Sequence, residues 1–419
     1  MPGGPRTIDD LYSIDSDLSR FDERNNMFRR ASWDPPVMQW TKRADAVLAG
    51  RLARGQPGFR AIDYALQSAG WSVVASTKTD TGRGSRSGLY LNQTRSVPAA
   101  QLVRDHAPDQ AKGSAASLAP EVSDPAEAAR LVKKVARFLG ADLVGVTEAD
   151  GRWFNSHWHL NEGHGPIDFP SARETPGLGP DGTFSLPEAM RWVIVLAFRQ
   201  DIAAIRGGPT LVASAAAGQG YLKMAVTAHA LAEFLAALGY RALPSGNDLA
   251  LSEPLAIAAG LGELGRNGLL VTPGYGPNVR LAKVFTDLPL SIDRPRDFGV
   301  RKFCLSCLKC AEHCPSRAIA GGGMTREVAC PSNNPGVLKW PVDVERCFKF
   351  WNANGGDCAT CVAVCPYTKD SAHHWHHALA ARLAPVAPRL FVWLDDLFGY
   401  GMAEPGSWWK RGRDGRRGR

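Results

Sequence analysis

The sequence has no apolar run long enough to span a bilayer, and its first residues lack the features of an export signal. The opening segment MPGGPRTIDDLYSID has no charged stretch followed by an apolar one, which is the layout that secretory signals share. Arg29 and Arg30 form a twin-arginine pair, but the polar segment ASWDPP follows where an export signal would continue with apolar residues. We therefore expect a cytoplasmic protein without an integral membrane segment.

The sequence also has little net charge outside its last residues. The formal net charge is +8, and the final segment KRGRDGRRGR carries six cations and one Asp. With that segment set aside, about +3 is left for the rest of the 419-residue chain, which is ordinary for a protein of this size. We therefore expect no nucleic-acid partner, and we expect the basic end to be disordered.

A working dinucleotide-binding loop is missing, although its consensus occurs once. Gly260, Gly262 and Gly265 match GxGxxG, but the helix-like segment LSEPLAIAA precedes them and the strand-like segment GLLVT follows. A dinucleotide loop needs the reverse order, because the N-terminus of the following helix must meet the pyrophosphate. We interpret these glycines as positions where the backbone closely approaches a flat ligand or a neighbouring element.

Cysteine is scarce, and eight of the nine residues fall into two runs that each end in Cys-Pro, at 304–315 and 347–366. Ligands separated by two-residue gaps, with a last one before proline that serves the other cluster, are typical of a paired 4Fe–4S module. The spacing predicts one cluster on Cys304, Cys307, Cys310 and Cys365, and the other on Cys314, Cys347, Cys358 and Cys361. Zinc sites can show similar gaps, but zinc does not need three short gaps closed by Cys-Pro.

Helix-like and strand-like segments alternate before the cysteine runs, and this alternation predicts a layered α/β (α+β) domain. We divide the chain into an N-terminal capping region and linker at 1–124 and an α/β domain at 125–294. That domain contains a glycine-rich insertion at about 150–187, which we expect to be irregular. A ferredoxin-like module at 295–370 follows, and a tail at 371–419 is expected to pack on the core before its basic end.

Longer motifs resemble those of the corrinoid-dependent reductive dehalogenases, and the resemblance covers nearly the whole chain. The motifs are RFDERNNMFRRASWDP, GYLKM, LPSGND, AGLGELGRNGLL, GPNVRLAKVFTDLPL, both cysteine runs, SNNPG and DDLFGYG. The resemblance implies a nitroreductase-like domain that encloses cobalamin or a related corrinoid, with the two 4Fe–4S clusters passing electrons to its cobalt. No histidine lies in the Asp-x-His-x-x-Gly segment that supplies a cobalt ligand in some other corrinoid proteins, which is compatible with a corrinoid held without a protein ligand.

The resemblance also implies partners. The substrate is expected to be a small organohalide. Respiratory members carry a twin-arginine export segment and some catabolic members carry a fused reductase domain, and this chain shows neither. We therefore expect a separate low-potential electron donor of the ferredoxin or flavodoxin type; the oligomeric state stays open.

Specific residues receive roles from the same resemblance. Tyr221 matches the proton donor, Arg280 matches the cation that stabilises the resulting phenolate, and Asn247 matches the amide that orients the tyrosine and the substrate. A phenol is normally protonated at neutral pH, so it donates only if its phenolate is stabilised. The candidate corrinoid contacts are Ser245, Gly246, Ser252 and Gly262.

Each catalytic candidate also has a structural interpretation. Tyr221 could cap the start of its helix, Arg280 could pair with Asp248, and Asn247 could hold a turn with Gly246. Two other functions fit part of the pattern. An epoxyqueuosine reductase-like enzyme shares the cobalamin, the core and both clusters but has a carboxylate at the position of Tyr221. A non-catalytic iron–sulfur electron-transfer protein needs only the clusters.

Overall fold

The computed structural model describes residues 7–79, 101, 124–160, 163–369 and 374–410. Its strands are β1 (Leu143–Glu148), β2 (His157–Leu160), β3 (Gly163–Ser171), β4 (Gly177–Leu178), β5 (Phe184–Pro187), β6 (Trp192–Arg199), β7 (Ala242–Ser245), β8 (Glu263–Leu264), β9 (Leu270–Val271) and β10 (Val279–Thr286). Most of the linker expected before residue 125 lies outside the described residues, as do residues 411–419 of the basic end.

The helices occur before, between and after these strands. They are α1 (Met27–Arg30), α2 (Pro35–Ala53), α3 (Ala61–Thr79), α4 (Pro125–Phe138), α5 (Ile202–Ile205), α6 (Leu211–Ala237), α7 (Ser252–Ala258), α8 (Val300–Ser306), α9 (Lys309–Glu312), α10 (Val344–Asn354), α11 (Thr360–Ala363), α12 (Trp375–Leu383) and α13 (Pro388–Leu397). In the part of the chain that the structure describes, no helix is both long and apolar enough to cross a bilayer.

The central sheet has the antiparallel order β1-β6-β10-β7. One of its two inner strands, β6, is apolar up to Phe198, because successive side chains enter two different cores. Val193, Val195 and Ala197 face one core with α7, whereas Ile194 and Leu196 face the other with α4 and α6. Helices therefore cover both faces of the sheet, and the predicted α/β class is confirmed.

The expectation of irregular structure at about 150–187 is wrong. Within that insertion, β2, β3, β5 and β4 form a second four-stranded sheet in this order, which packs on the core that contains β6 and α7. The strands of this sheet are rich in His, Gly and Pro and do not alternate between apolar and polar residues, so the usual sequence signal of a strand is missing. Likewise, GLLVT contributes only β9, which pairs with β8 in a separate hairpin rather than joining the central sheet.

A close contact between glycines fixes the position of α3 against α6. A Cβ on Gly218 of α6 would lie 2.7 Å from the backbone of Gly70 in α3, and a Cβ on Gly70 would lie 2.7 Å from Ala215 O. The two helix backbones can touch here only because neither glycine has a side chain. The long helix α6 thus packs between the central sheet and α3.

The C-terminal helices pack against the cysteine-rich module. Asp395 of α13 accepts hydrogen bonds from Lys309 at 2.6 Å and from Lys369 at 2.5 Å, and both lysines belong to this module. Trp408 packs on a small apolar cluster that includes residues of α5 and α6. Trp409 Nε1 donates a hydrogen bond to Asp63 of α3 at 2.6 Å. The tail expected to pack on the core therefore packs partly on the module and partly on α3.

Candidate active site

The three catalytic candidates come from three different elements and meet in space. Tyr221 lies well inside α6, Asn247 lies in the turn after β7, and Arg280 lies on β10. Asn247 Nδ2 donates to Tyr221 Oη at 2.7 Å, and Arg280 Cζ lies 5.2 Å from the centroid of the Tyr221 ring. Because α6 begins at Leu211, Tyr221 does not cap a helix start.

Aromatic packing completes the surroundings of the Tyr221 ring. Trp71 of α3 lies with its ring centroid 5.2 Å from that of Tyr221, at an interplanar angle of 33°. Arg280 Nε is buried and has no hydrogen-bond partner among the described residues. The phenol is therefore held between an indole, an amide donor and a cation whose Nε is free to bind a ligand.

Buried polar groups hydrogen-bond to the turn that carries Asn247 and hold it in place. Asp248 Oδ1 accepts hydrogen bonds from Ser245 Oγ and from the backbone N–H of Gly246, both at 3.0 Å. Lys283 Nζ donates to Gly246 O and, at 3.1 Å, to Ser252 Oγ. Complete burial lowers the pKa of the Lys283 ammonium to about 8. These contacts hold the backbone of the turn that carries Asn247.

Three of the four expected corrinoid contacts belong to these supports, and none of the four lines the cavity that borders Arg280. The polar groups of Ser245, Gly246 and Ser252 bond to Asp248 and Lys283. A Cβ on Gly262 would lie 2.4 Å from Val271 O, so this glycine allows the close β8–β9 pairing. Direct corrinoid contact by these four residues stays a prediction.

A cavity of about 480 Å³ lies next to the catalytic candidates, between the core and the cysteine-rich module. Arg280, Glu253 and Asn267 line its core side, and Asn334 and Trp340 line its module side. Asn334 Oδ1 and Trp340 Nε1 are buried without a hydrogen-bond partner within the described ranges. Unpaired buried polar atoms are costly, so a ligand with donors and acceptors fits this cavity.

The eight clustered cysteines divide into the two sets that the spacing predicts. One small cavity is lined by Cys304, Cys307, Cys310 and Cys365. The large cavity is lined by Cys314, Cys347, Cys358 and Cys361. Each set therefore combines three cysteines of one run with the Cys-Pro cysteine of the other.

Burial affects the chemistry of these thiols. Loss of solvation raises the pKa of Cys304, Cys310 and Cys347 to about 12. Without a bound cation these thiols stay protonated at neutral pH, whereas metal coordination stabilises the thiolate. Four thiols around one small volume are a donor set that suits iron–sulfur ligation.

A hydrogen-bonded path joins the aromatic wall to the cysteine-rich module. Trp71 Nε1 donates to Ser214 O at 3.1 Å, and Ser214 Oγ donates to Asp357 Oδ2 at 2.9 Å. Asp357 directly precedes Cys358, and both residues line the large cavity with Arg280. The cation and one set of cysteines thus border the same space, and the phenol contacts that cation.

Several residues of the site were not found from the sequence. Ser214 and Asp357 carry no local signal of their roles, because they are hydrogen-bonded to each other from distant segments. Asn334 and Trp340 line the cavity only because the fold brings the module against the core. Lys283 did carry a signal. It stands in the middle of the apolar strand VRLAKVF, and a lysine that faces a core is rarely buried unless it is paired.

Comparison with known proteins agrees with this arrangement. Residues 303–368 match the family model of the 4Fe-4S double cluster binding domain. A tetrachloroethene reductive dehalogenase of Desulfitobacterium hafniense is 41% identical over 299 residues, which are 65% of this chain and 54% of the relative. An epoxyqueuosine reductase of Lactococcus garvieae is 34% identical over 144 residues, which are 34% of this chain and 38% of that protein.

The fold is shared with a solved structure of a catabolic reductive dehalogenase. That structure superposes with a TM-score of 0.67 at 23% identity and covers 95% of this chain and 48% of its own. The chain spans about half the length of the reductive dehalogenases it matches, 54% in the case of the Desulfitobacterium hafniense protein.

Proposed function

The chain belongs with the reductive dehalogenases in sequence and in fold, and we propose that it replaces a halogen by hydrogen on an organohalide. The observation that carries the proposal is the meeting of Tyr221, Asn247 and Arg280 beside a cavity that four cysteines also line. A cation and an electron route then border one space, with a proton donor in contact with the cation, and reductive dehalogenation uses all three.

The cavity supports a corrinoid as the group that is bound between the core and the module. Its volume of about 480 Å³ and its unpaired polar atoms suit a large ligand whose edge carries amide groups. Asn334, Trp340 and Glu253 would hold that edge. When bound, the corrinoid supplies cobalt-centred two-electron reduction of the carbon–halogen bond, with electrons that arrive through the 4Fe–4S clusters.

The residues of this chain would supply the proton. Replacing a halogen by hydrogen consumes two electrons and one proton and releases a halide ion. Tyr221 Oη donates the proton, and the nearby guanidinium of Arg280 stabilises the phenolate that is left. Asn247, through its 2.7 Å hydrogen bond, holds the hydroxyl in one orientation, and Trp71 shields the ring from solvent.

The electrons would come from outside the chain. Cys304, Cys307, Cys310 and Cys365 would hold one cluster, and Cys314, Cys347, Cys358 and Cys361 would hold the cluster that borders the corrinoid cavity. The route then runs from a low-potential donor to the first cluster, to the second and into the cavity. Because the matched relatives are named for tetrachloroethene, a chlorinated alkene is the first substrate to try.

The test compares wild-type protein with Tyr221→Phe after anaerobic reconstitution with iron, sulfide and cobalamin. Phenylalanine keeps the ring against Trp71 but removes the proton. We expect both proteins to hold about eight irons per chain. We expect chloride release from tetrachloroethene to fall at least about a hundredfold in the variant. Tyr64→Phe, which removes a hydroxyl from an exposed tyrosine, is the matched control and keeps the wild-type rate.

Other outcomes would contradict the proposal in distinct ways. Full activity of Tyr221→Phe would remove Tyr221 from proton transfer. A cobalamin-loaded wild-type protein that releases no halide from alkyl, alkenyl or aryl halides would refute dehalogenation itself. Reduction of an epoxyqueuosine-containing tRNA stem loop would then favour the tRNA enzyme, and electron transfer without either reaction would favour a carrier.

A further inference from the structure

A group of histidines and one aspartate lies on the second sheet, apart from the site described above. Asp22, His157 and His164 each offer one metal-ligating atom, and these atoms all lie within 4.8 Å of one another. Asp22 precedes a 3-10 turn at Glu23–Asn25 in the N-terminal segment, whereas the two histidines belong to the β2–β3 hairpin. Two imidazoles and a carboxylate at this separation form a donor set for a divalent transition metal.

Strand register brings the histidines to one face. In the β2–β3 hairpin His159 pairs with His164, and His157 pairs with Pro166 two positions away. Alternate residues of a strand share a face, so His157, His159 and His164 point to the same side of the hairpin. The His157 and His164 rings stack at 4.8 Å between centroids, and the His159 ring lies 5.7 Å from that of His164.

Neighbouring groups orient the ligand atoms. His164 Nε2 lies 3.1 Å from Asp22 Oδ1, and His157 Nδ1 lies 3.1 Å from Ser156 Oγ. In the tautomer whose Nδ1–H donates to this hydroxyl, Nε2 of His157 carries the free lone pair, as in many metal-bound histidines. Asp22 is in β-bridge contact with His157 and accepts the N–H of Arg24 at 2.9 Å, so its carboxylate is fixed as well.

A second observation points to a ligand at this place. His159 is only 6% exposed, and neither of its ring nitrogens has a hydrogen-bond partner in the described part of the chain. A buried imidazole without partners is unusual in a native protein. The His159 ring lies edge-on to the His164 ring, 5.7 Å away between centroids. At this separation His159 can hydrogen-bond to a water molecule that is a further ligand of an ion bound by the cluster.

We propose that Asp22, His157 and His164 bind one zinc ion, with water as a further ligand. Asp22 and His164 are partly exposed, so the ion can enter from solvent. The bound ion ties the N-terminal segment to the second sheet. Arg20 already anchors the same segment by donating to Asn155 O at 2.6 Å and to Ile167 O at 2.8 Å. The role is structural, and it requires neither the corrinoid nor the organohalide reaction.

The test counts zinc in protein whose cysteines are already occupied by iron–sulfur clusters. Reconstituted, anaerobic wild-type protein is mixed with one equivalent of Zn²⁺, passed through a desalting column with a weak chelator, and analysed for zinc and iron by mass spectrometry. We expect one zinc per chain with the iron content unchanged. His164→Gln and Asp22→Asn should bind zinc at least about tenfold more weakly while they keep the same iron content.

The control is His376→Gln, which changes an exposed histidine of α12 that lies beside other histidines. This variant should keep its zinc. Zinc should also raise the melting temperature of wild-type protein and of His376→Gln, but not of His164→Gln. The proposal is refuted if wild-type protein keeps no more zinc than His164→Gln. It is also refuted if zinc is lost in His376→Gln and kept in Asp22→Asn.

Discussion

Replacement of Arg266 tests what holds the cysteine-rich module on the core. Arg266 lies in the turn between β8 and β9 and is 2% exposed. Its guanidinium donates to Cys304 O at 2.9 Å, to Ala320 O at 2.9 Å and to Gly322 O at 2.8 Å. It also lies over the Trp340 ring, 4.8 Å from the centroid. One side chain of the core therefore satisfies three carbonyls of the module.

The substitution Arg266→Met keeps the length of the side chain and removes every donor. Each of the three carbonyls then loses a charge-assisted hydrogen bond. Water can replace the donor at Gly322, which is exposed, but less readily at Cys304 and Ala320, which are partly buried. At the lower end of the cost of an unsatisfied buried acceptor, about 1 kcal/mol for each of these two carbonyls, the free energy of unfolding falls by about 2 kcal/mol. This corresponds to a change of about thirtyfold in the unfolding equilibrium.

The measurement is anaerobic urea unfolding of the reconstituted protein, followed by far-UV circular dichroism and by cluster absorbance. We expect the absorbance of Arg266→Met to be lost at a clearly lower urea concentration than that of wild type. Arg173→Met is the matched control, because Arg173 makes an exposed ion pair with Asp181, and solvent-exposed pairs of this kind contribute little to stability. Equal midpoints for the two variants would show that Arg266 does not hold the interface.

Two further predictions concern the core. Gly218→Ala places a methyl group against the backbone of α3, so it should lower the melting temperature, whereas Gly151→Ala, whose Cβ meets nothing within 4 Å, should not. The pKa of Lys283 is about 8 when folded but about 10.4 when unfolded. Between these values the unfolded chain binds more protons, so stability rises with pH by about 3 kcal/mol in total. Lys283→Met should remove this rise in pH-dependent urea unfolding, and an unchanged slope would disprove the linkage.

The grouping of the eight cysteines into two sets could be predicted from the sequence because their spacing is mostly local. Two-residue gaps allow one loop to supply three thiolates, and the Cys-Pro position identifies the fourth. The structure groups Cys365 with Cys304 and Cys314 with Cys347, as the spacing predicted. The central sheet was predictable for a similar reason, since a strand buried on both faces, such as β6, reads as a continuous apolar run.

The second sheet and the start of α6 were not predictable in this way. His157 and His164 stand in glycine-rich segments without apolar alternation, so the hairpin that pairs them shows no strand signal. Gly218 and Gly220 resemble a helix boundary, yet α6 continues through both. Gly218 is required by the close approach of α3, and a Cβ on Gly220 would lie 2.6 Å from the Arg280 side chain.

The sequence by itself determined the class of fold, the cysteine sets and the identity of the residues that resemble a known catalytic group. Only the tertiary structure decided that Asn247 donates to Tyr221, that Arg280 lies over the same ring, and that Lys283 supports the turn beneath them. Such contacts join a helix, a turn and a strand that are far apart along the chain. Their distances depend on strand register and helix packing, which local patterns of residues do not encode.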